Sequence, residues 1–262
     1  LYFLAIFCGT VLYYTYAYVG EGNITSGNPR TIWYKKNNLF VRNSRIAIAG
    51  IMVLSLILLL RDGTPNLLAL EWTEWIPALL FPACAIFYYG LSTGSGKYSL
   101  RSIGWLKPFI IGFIWAGVVT VYPILFYKII TKTHFSLTPI GLFLFIKNFM
   151  FVSVLCIMFD IKDYAMDYNA QLKTFVVKVG LRRTIFQIII PLCVVGLFSF
   201  LLYGIARGFH PFKLILNVIP FLLLIIVAYS LHNRKPVLYY LIIIDGLMLI
   251  KAICGSIAMI YF

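Results

Sequence analysis

Charge is scarce in this sequence. Asp, Glu, Lys and Arg make up only 11% of its 262 residues, too few to cover the surface of a soluble domain of this length. Acid is scarcest of all, with eight carboxylates: Glu21, Asp62, Glu71, Glu74, Asp160, Asp163, Asp167 and Asp245. Paired cysteines are missing too. Cys8, Cys84, Cys156, Cys193 and Cys254 are scattered through apolar segments with no metal or redox spacing, which excludes a disulfide framework or a zinc ribbon. The three histidines (His134, His210 and His232) fall between apolar segments without ligand-like neighbours. Strict apolar–polar alternation is absent, which argues against a membrane β-barrel. There is no internal repeat and no low-complexity tract.

Long apolar runs are abundant. Hydrophobic residues make up 62% of the chain, and the mean hydropathy is +0.95. Stretches such as "IAIAGIMVLSLILLL" and "VLYYLIIIDGLMLI" belong to segments near the roughly 18 residues that mark a spanning helix. In lipid a helix satisfies its own backbone groups. The sequence therefore predicts an all-α, polytopic transmembrane helix bundle, read as a single domain over 1–262. Eight spans are expected, near Leu1–Val19, Arg45–Leu60, Trp75–Leu91, Pro108–Phe126, Thr138–Phe159, Thr184–Ala206, Leu214–Leu231 and Val237–Phe262. The chain opens with Leu1 inside an apolar stretch that lacks a basic leader. We therefore expect further sequence, with one more span, upstream.

The net charge is +14. Arg61, Lys128, Lys132, Arg207 and Lys213 fall on one side of the expected membrane, and Lys147 and Lys251 within spans. The other fifteen Lys and Arg fall on the opposite side. That bias places loops 20–44, 92–107, 160–183 and 232–236 in the cytoplasm. Orientation accounts for the excess charge, and no nucleic-acid partner is needed. The cytoplasmic loops are also the longer ones, and loops carry function.

Three of the eight carboxylates lie in "FDIKDYAMD", where the fifth span meets the cytoplasm. Spacing of i, i+3 and i+7 puts Asp160, Asp163 and Asp167 on one helical face within about two turns. Mg²⁺ suits such a cluster, because it takes one or two carboxylates together with phosphate oxygens. The plainer reading is a solvated helix end with Lys162 and Lys173 as ion-pair partners.

The longer stretch "DIKDYAMDYNAQLKTFVVKVG" resembles the second aspartate motif of the UbiA superfamily of intramembrane prenyltransferases. Asp160, Asp163, Asp167, Lys173, Thr174 and Gly180 follow that pattern in order. "KYSLR" is similar to the family's Tyr-Ser-x-x-Lys/Arg stretch and places Tyr98 and Arg101 on the same side. The resemblance implies nine helices around a cytoplasm-facing cavity. It also implies Mg²⁺ on Asp160, Asp163 and Asp167, which act as the catalytic carboxylates, with Lys173, Arg101, Tyr98 and Arg30 on the diphosphate. The implied reaction moves a prenyl group from a prenyl diphosphate to a hydrophobic or aromatic acceptor, in a membrane expected to be the bacterial inner membrane. One departure is large. Counting back from Arg30 in "GNITSGNPRTIWY" puts Tyr16, Val19 and Asn23 where the family's first motif carries aspartates, with Thr15 at its Asn. An alternative therefore keeps the fold and drops the chemistry: a catalytically inactive UbiA-like subunit of a larger membrane complex, binding lipid or quinone.

Other residues stand apart from both motifs. Lys147, Asn148, Asp245 and Lys251 lie within spans, where ionisable groups are costly and functional by default. A structural pair between Lys147 and Asp245 is expected, and a transport path through them is the third functional reading.

Overall fold

Proline marks where the helices begin. Pro29, Pro108, Pro139 and Pro211 each stand in a first turn, where the missing N–H costs nothing. The computed structural model of the chain describes residues 1–20, 29–61, 71–89, 91–93, 96–98, 103–131, 138–169, 171 and 173–261. It is 89% helical, so the chain is all-α despite one short β-ribbon. In chain order the helices are α1 (Tyr2–Gly20), α2 (Pro29–Lys36), α3 (Asn38–Arg61), α4 (Trp72–Tyr89), α5 (Lys107–Thr131), α6 (Pro139–Asn169), α7 (Phe175–Val179), α8 (Leu181–Ala206), α9 (Pro211–Ser230) and α10 (Val237–Ile260). The ribbon pairs β1 (Leu91–Thr93) with β2 (Gly96–Tyr98), antiparallel, with Leu91 opposite Tyr98.

Each of the eight expected spans falls mainly on a described helix, although the third was drawn as far as Leu91, which belongs to β1. Among the described residues, six helices are long and apolar enough to cross a membrane: α3, α5, α6, α8, α9 and α10. Two more apolar stretches, Tyr2–Tyr16 and Glu74–Tyr88, are shorter. The protein is an integral membrane protein with several candidate spans, and many of its large side chains look outward, among them Phe3, Phe198, Leu202 and Met259.

Packing divides the chain into two compact units. In the first, residues 1–72 and 123–135, α1 lies along α3 and Gly9 meets Met52. The second comprises residues 73–122 and 136–262, and its centre is α6. The apolar window of α6 is 44% buried, twice the share of α8 or α10. Phe151, Val154, Ile157 and Met158 on α6 pack against Ile185 and Ile189 of α8, Phe221 and Leu224 of α9, and Ile244 and Leu247 of α10. Lipid tails are as apolar as these side chains, so close packing rather than water exclusion holds the helices together. Gly112 shows how close: a Cβ there would collide with Ser153 Oγ and the Phe149 carbonyl, so α5 and α6 touch backbone to backbone.

Three helices contain a π-helical turn: Gly117–Val121 in α5, Thr184–Ile189 in α8 and Tyr240–Ile244 in α10. The first two end just before Pro123 and Pro191. Proline removes a donor and crowds the carbonyl four residues back. The widened turn accommodates both, and such turns recur at functional places in helices.

Candidate functional site

Helix α6 runs without a break through the acidic motif, so Asp160, Asp163 and Asp167 lie on its last turns and not in a loop. The i, i+3, i+7 spacing thus holds on one continuous helix. The three carboxylates nevertheless have different surroundings. Asp160 is buried, with 4% exposure. One of its oxygens, Oδ1, accepts a hydrogen bond from Lys107 Nζ at 2.8 Å, an ion pair between the start of α5 and α6. The other, Oδ2, is buried with no hydrogen-bond partner. Asp163 is half-exposed and lies 3.4 Å from its neighbour Lys162, a surface pair of small energetic weight.

Asp167, beyond the apolar part of α6, is partly buried. Burial raises its carboxyl above the ordinary carboxylate range, and the charge of Asp163 one turn earlier adds to the effect. Lys107 and the hydroxyl of Thr174 act in the opposite direction. Thr174 is itself buried, and its hydroxyl makes no hydrogen bond of normal geometry. Thr174 ends an extended stretch before α7. It is held there partly by Gly104, where a Cβ would come within 2.9 Å of the Lys173 carbonyl. After α7 the chain turns at Gly180, whose φ of +92° disfavours any residue with a side chain.

Comparison with protein-family models, with curated proteins and with solved structures finds no match for this chain.

The remaining expected site residues are spread differently. Lys173 is exposed and forms no ion pair among the described residues. Tyr98 closes strand β2 and Arg30 lies in α2, but their side chains, and all of Arg101, lie outside the described residues. Of the positions aligned with the missing first motif, Thr15 donates its hydroxyl back to the Val11 carbonyl at 2.6 Å, and Tyr16 is exposed. Val19's side chain and Asn23 lie outside the described residues.

Lys107 is the partner that the motif did not reveal. Consecutive helices usually pack side by side, and α5 and α6 do. Lys107 opens α5, and Asp160 lies 21 residues into α6, so the two meet at the same end of an antiparallel pair. A count of depth along two adjacent spans carries that signal.

The donor set can be weighed against Mg²⁺. Among the described residues, no three His, Cys, Asp or Glu side chains converge closely enough to hold a metal. Asp160 already carries an ammonium on one oxygen. Asp163 and Asp167, one turn apart and partly open, do fit an ion that takes two carboxylates and completes its shell with phosphate oxygens and water.

A second polar cluster lies along α6, nearer its Pro139 end. Lys147 Nζ donates to Asn217 Oδ1 on α9 at 3.1 Å and sits 4.0 Å from the centre of the Phe200 ring. The expected Lys147–Asp245 pair is therefore not formed. Lys147 lies eight residues from the start of α6, and Asp245 eight from the start of α10. The helices run antiparallel, so these residues lie at different depths. It is Lys251, nine residues before the end of α10, that reaches the level of Lys147. Its Nζ donates to Asn148 Oδ1 at 2.6 Å and lies 4.2 Å from the centre of the Phe151 ring. Asn148 in turn donates to Thr120 Oγ1 at 2.9 Å, and Thr120 belongs to the π-helical turn of α5.

Proposed function

We propose that this protein is a UbiA-like intramembrane prenyltransferase of the bacterial inner membrane. It would have eight spans in this chain, with its acidic cluster on the cytoplasmic face. The observation that carries the reading is the placement of Asp163 and Asp167, one turn apart and partly open, beside a Lys107–Asp160 pair whose acid is buried and whose lysine is partly exposed. Two carboxylates available for Mg²⁺ beside a fixed ammonium suit a diphosphate, whose charge needs both kinds of partner. Asp163 and Asp167 would hold the ion. Lys107, held by Asp160, would contribute its positive charge toward the phosphate oxygens, aided by Lys173, Arg30, Arg101 and Tyr98. When bound, the ion neutralises charge on the departing diphosphate. Apolar and aromatic side chains would keep water from the allylic carbon while the hydrophobic or aromatic acceptor attacks it, the bond to the diphosphate breaks and the acceptor gives up a proton.

A second reading has specific support. An ammonium already sits on Asp160, and Tyr16, Val19 and Asn23 replace a whole acidic motif. Both features suit a UbiA-like subunit that binds lipid or quinone within a larger membrane complex without turnover. Loss of one metal's help would cost several kcal/mol of barrier, and about 1.4 kcal/mol is tenfold in rate. The expected turnover is therefore slow. The test is a transfer assay on purified protein with Mg²⁺, a panel of prenyl diphosphates and candidate acceptors. Slow product formation that vanishes in Asp163→Asn and Asp167→Asn supports the enzyme. No product from either form, with lipid or quinone retained on the purified protein, supports the subunit.

A further inference from the structure

We propose that the lysine cluster around Asn148 is a binding site for the anionic head of a single-chain amphiphile, a carboxylate or a phosphate, separate from the acidic cluster and independent of the prenyl-transfer reading.

The first argument is charge. Lys147 and Lys251 come from different helices and face two rings that touch each other: Lys147 lies 5.5 Å from the centre of Phe221, Lys251 4.2 Å from that of Phe151, and the two ring centres are 5.7 Å apart. Among the described residues neither has a carboxylate partner. Their hydrogen bonds go to the neutral amides of Asn217 and Asn148, and their other neighbours are the faces of Phe200, Phe221 and Phe151. An ammonium has three donors, and each of these spends one on an amide. Two ammonium groups inside a membrane bundle are costly without an anion. One anion between them would answer both, with the unspent N–H groups as its hydrogen-bond donors.

The second argument is access. An open recess of about 310 Å³ lies where α6 begins and α8 ends, lined by Thr138, Pro139, Ile140, Tyr203, Arg207 and Phe209. Arg207 lies over the Tyr203 ring, and Lys213 over Phe209. From this basic rim a row of residues leads inward along the seam of α6 and α8. Phe143 stacks on Tyr203 at 4.7 Å between ring centres, and one turn deeper Lys147 meets Phe200. The spacing 139, 143, 147 on α6 and 203, 200 on α8, with Arg207 capping the end of α8, keeps the row on facing sides of the two helices. Lys147 is eight residues in from Pro139, roughly 12 Å along the helix. A phospholipid phosphate, held at the interface by two chains, stays above that depth. A single-chain anion has no second chain to hold it there, and reaches Lys147 by parting Phe143 from Tyr203, which close the seam below the recess.

The experiment uses the full chain purified in neutral detergent. Binding of oleate, oleyl phosphate and oleyl alcohol is followed by native mass spectrometry and by the shift in thermal unfolding. The three probes share a tail and differ in the head. The expected result is that at least one anion binds at least tenfold more tightly than the alcohol, and that Lys147→Gln and Lys251→Gln each remove that preference. Preference for oleate assigns a carboxylate, and preference for oleyl phosphate a phosphate. Equal binding of all three probes overturns the proposal whether or not any variant folds. So does an anion preference that survives in both variants. Loss in only one variant overturns the two-lysine form of the site. The acidic cluster is untouched by these substitutions, so failure here leaves the transfer assay unaffected.

Discussion

Helix α6 carries both clusters, and they solve the problem of charge in a membrane in opposite ways. At the Asn169 end, acid comes with its counter-cation: Asp160 is buried and Lys107 lies on it at 2.8 Å. Toward the Pro139 end, Lys147 and Lys251 are given amides and ring faces and no acid. The first arrangement is closed within the protein at Asp160 and open at Asp163 and Asp167. The second supplies donors without an acceptor of opposite charge. A buried ion pair adds little net stability but is costly to break, because removing one partner strands the other. Lysines without an acid behave otherwise, since removing one strands a neutral amide oxygen and no charge.

That contrast can be broken or sharpened by measurement. The largest expected effect is at Lys107. Lys107→Met strands the Asp160 carboxylate and should cost about 2–3 kcal/mol, below the full value for a buried pair because the lysine is partly exposed. Thermal unfolding in detergent reads the loss, and Lys107→Met with Asp160→Asn should recover most of it. Equal stability of Lys107→Met and the parent would mean that the pair does not hold the two helices.

Gly112→Leu should come next, at about 1–3 kcal/mol. The new side chain meets the α6 backbone, which cannot rotate away as a side chain can. A parent-like unfolding midpoint would contradict the backbone-to-backbone approach of α5 and α6.

A third measurement concerns pH. Asp167 holds its proton to a higher pH in the fold than in the unfolded chain. Its contribution to stability is therefore full below the unfolded value and is lost as pH rises through the folded one. A divalent ion needs the deprotonated form, so Mn²⁺ affinity should rise with pH across the same window. Asp167→Asn should weaken Mn²⁺ binding by at least about tenfold, flatten that pH dependence, and leave the protein slightly more stable at neutral pH. A pH profile unchanged by the substitution would remove Asp167 from the ion's ligands.

The smallest effect belongs to the other cluster. Ligand-free Lys251→Met should unfold within about 1 kcal/mol of the parent, or above it. A loss as large as that at Lys107 would show that the lysine is structural, and the two ends of α6 would then differ less than their partners suggest.

Much of the fold was legible because apolar length is a one-dimensional signal. Six of the expected segments are described helices long and apolar enough to cross a membrane, two more fall on shorter apolar helices, and the motif's spacing predicted a shared face that the unbroken α6 provides. Partners were harder to read. Lys107 and Asp160 are 53 residues apart, and nothing in the local pattern of either names the other. Lys147 was matched with Asp245 because both lie within spans. The partner instead had to lie at the same depth, which Asn217 does for Lys147 and Lys251 does for Asn148. The ribbon of Leu91–Thr93 and Gly96–Tyr98 falls at the end of the third expected span and in the expected loop 92–107, since three-residue strands leave too few positions for a period to show. The unequal exposure of the three aspartates depends on which neighbouring helix ends beside each, and spacing within α6 carries no information about that.

The bond between Lys251 and Asn148 spans 103 residues and so has a consequence for how the protein is made. Helix α6 leaves the ribosome long before α10, so Asn148 and Lys147 enter the bilayer before their distant partner exists. A lysine at mid-membrane adds roughly 2.5–3.5 kcal/mol to insertion, and each Leu, Ile, Phe or Val returns about 0.3–0.6. The apolar excess of α6 suffices for it to enter alone, and α10 follows with its own lysine. Only then can the last helix dock by its amine, so the polar link is completed as synthesis ends. A chain cut short before α10 would leave Asn148 in the membrane with an amide oxygen and nothing to donate to it, a mark by which quality control could tell an unfinished bundle from a finished one.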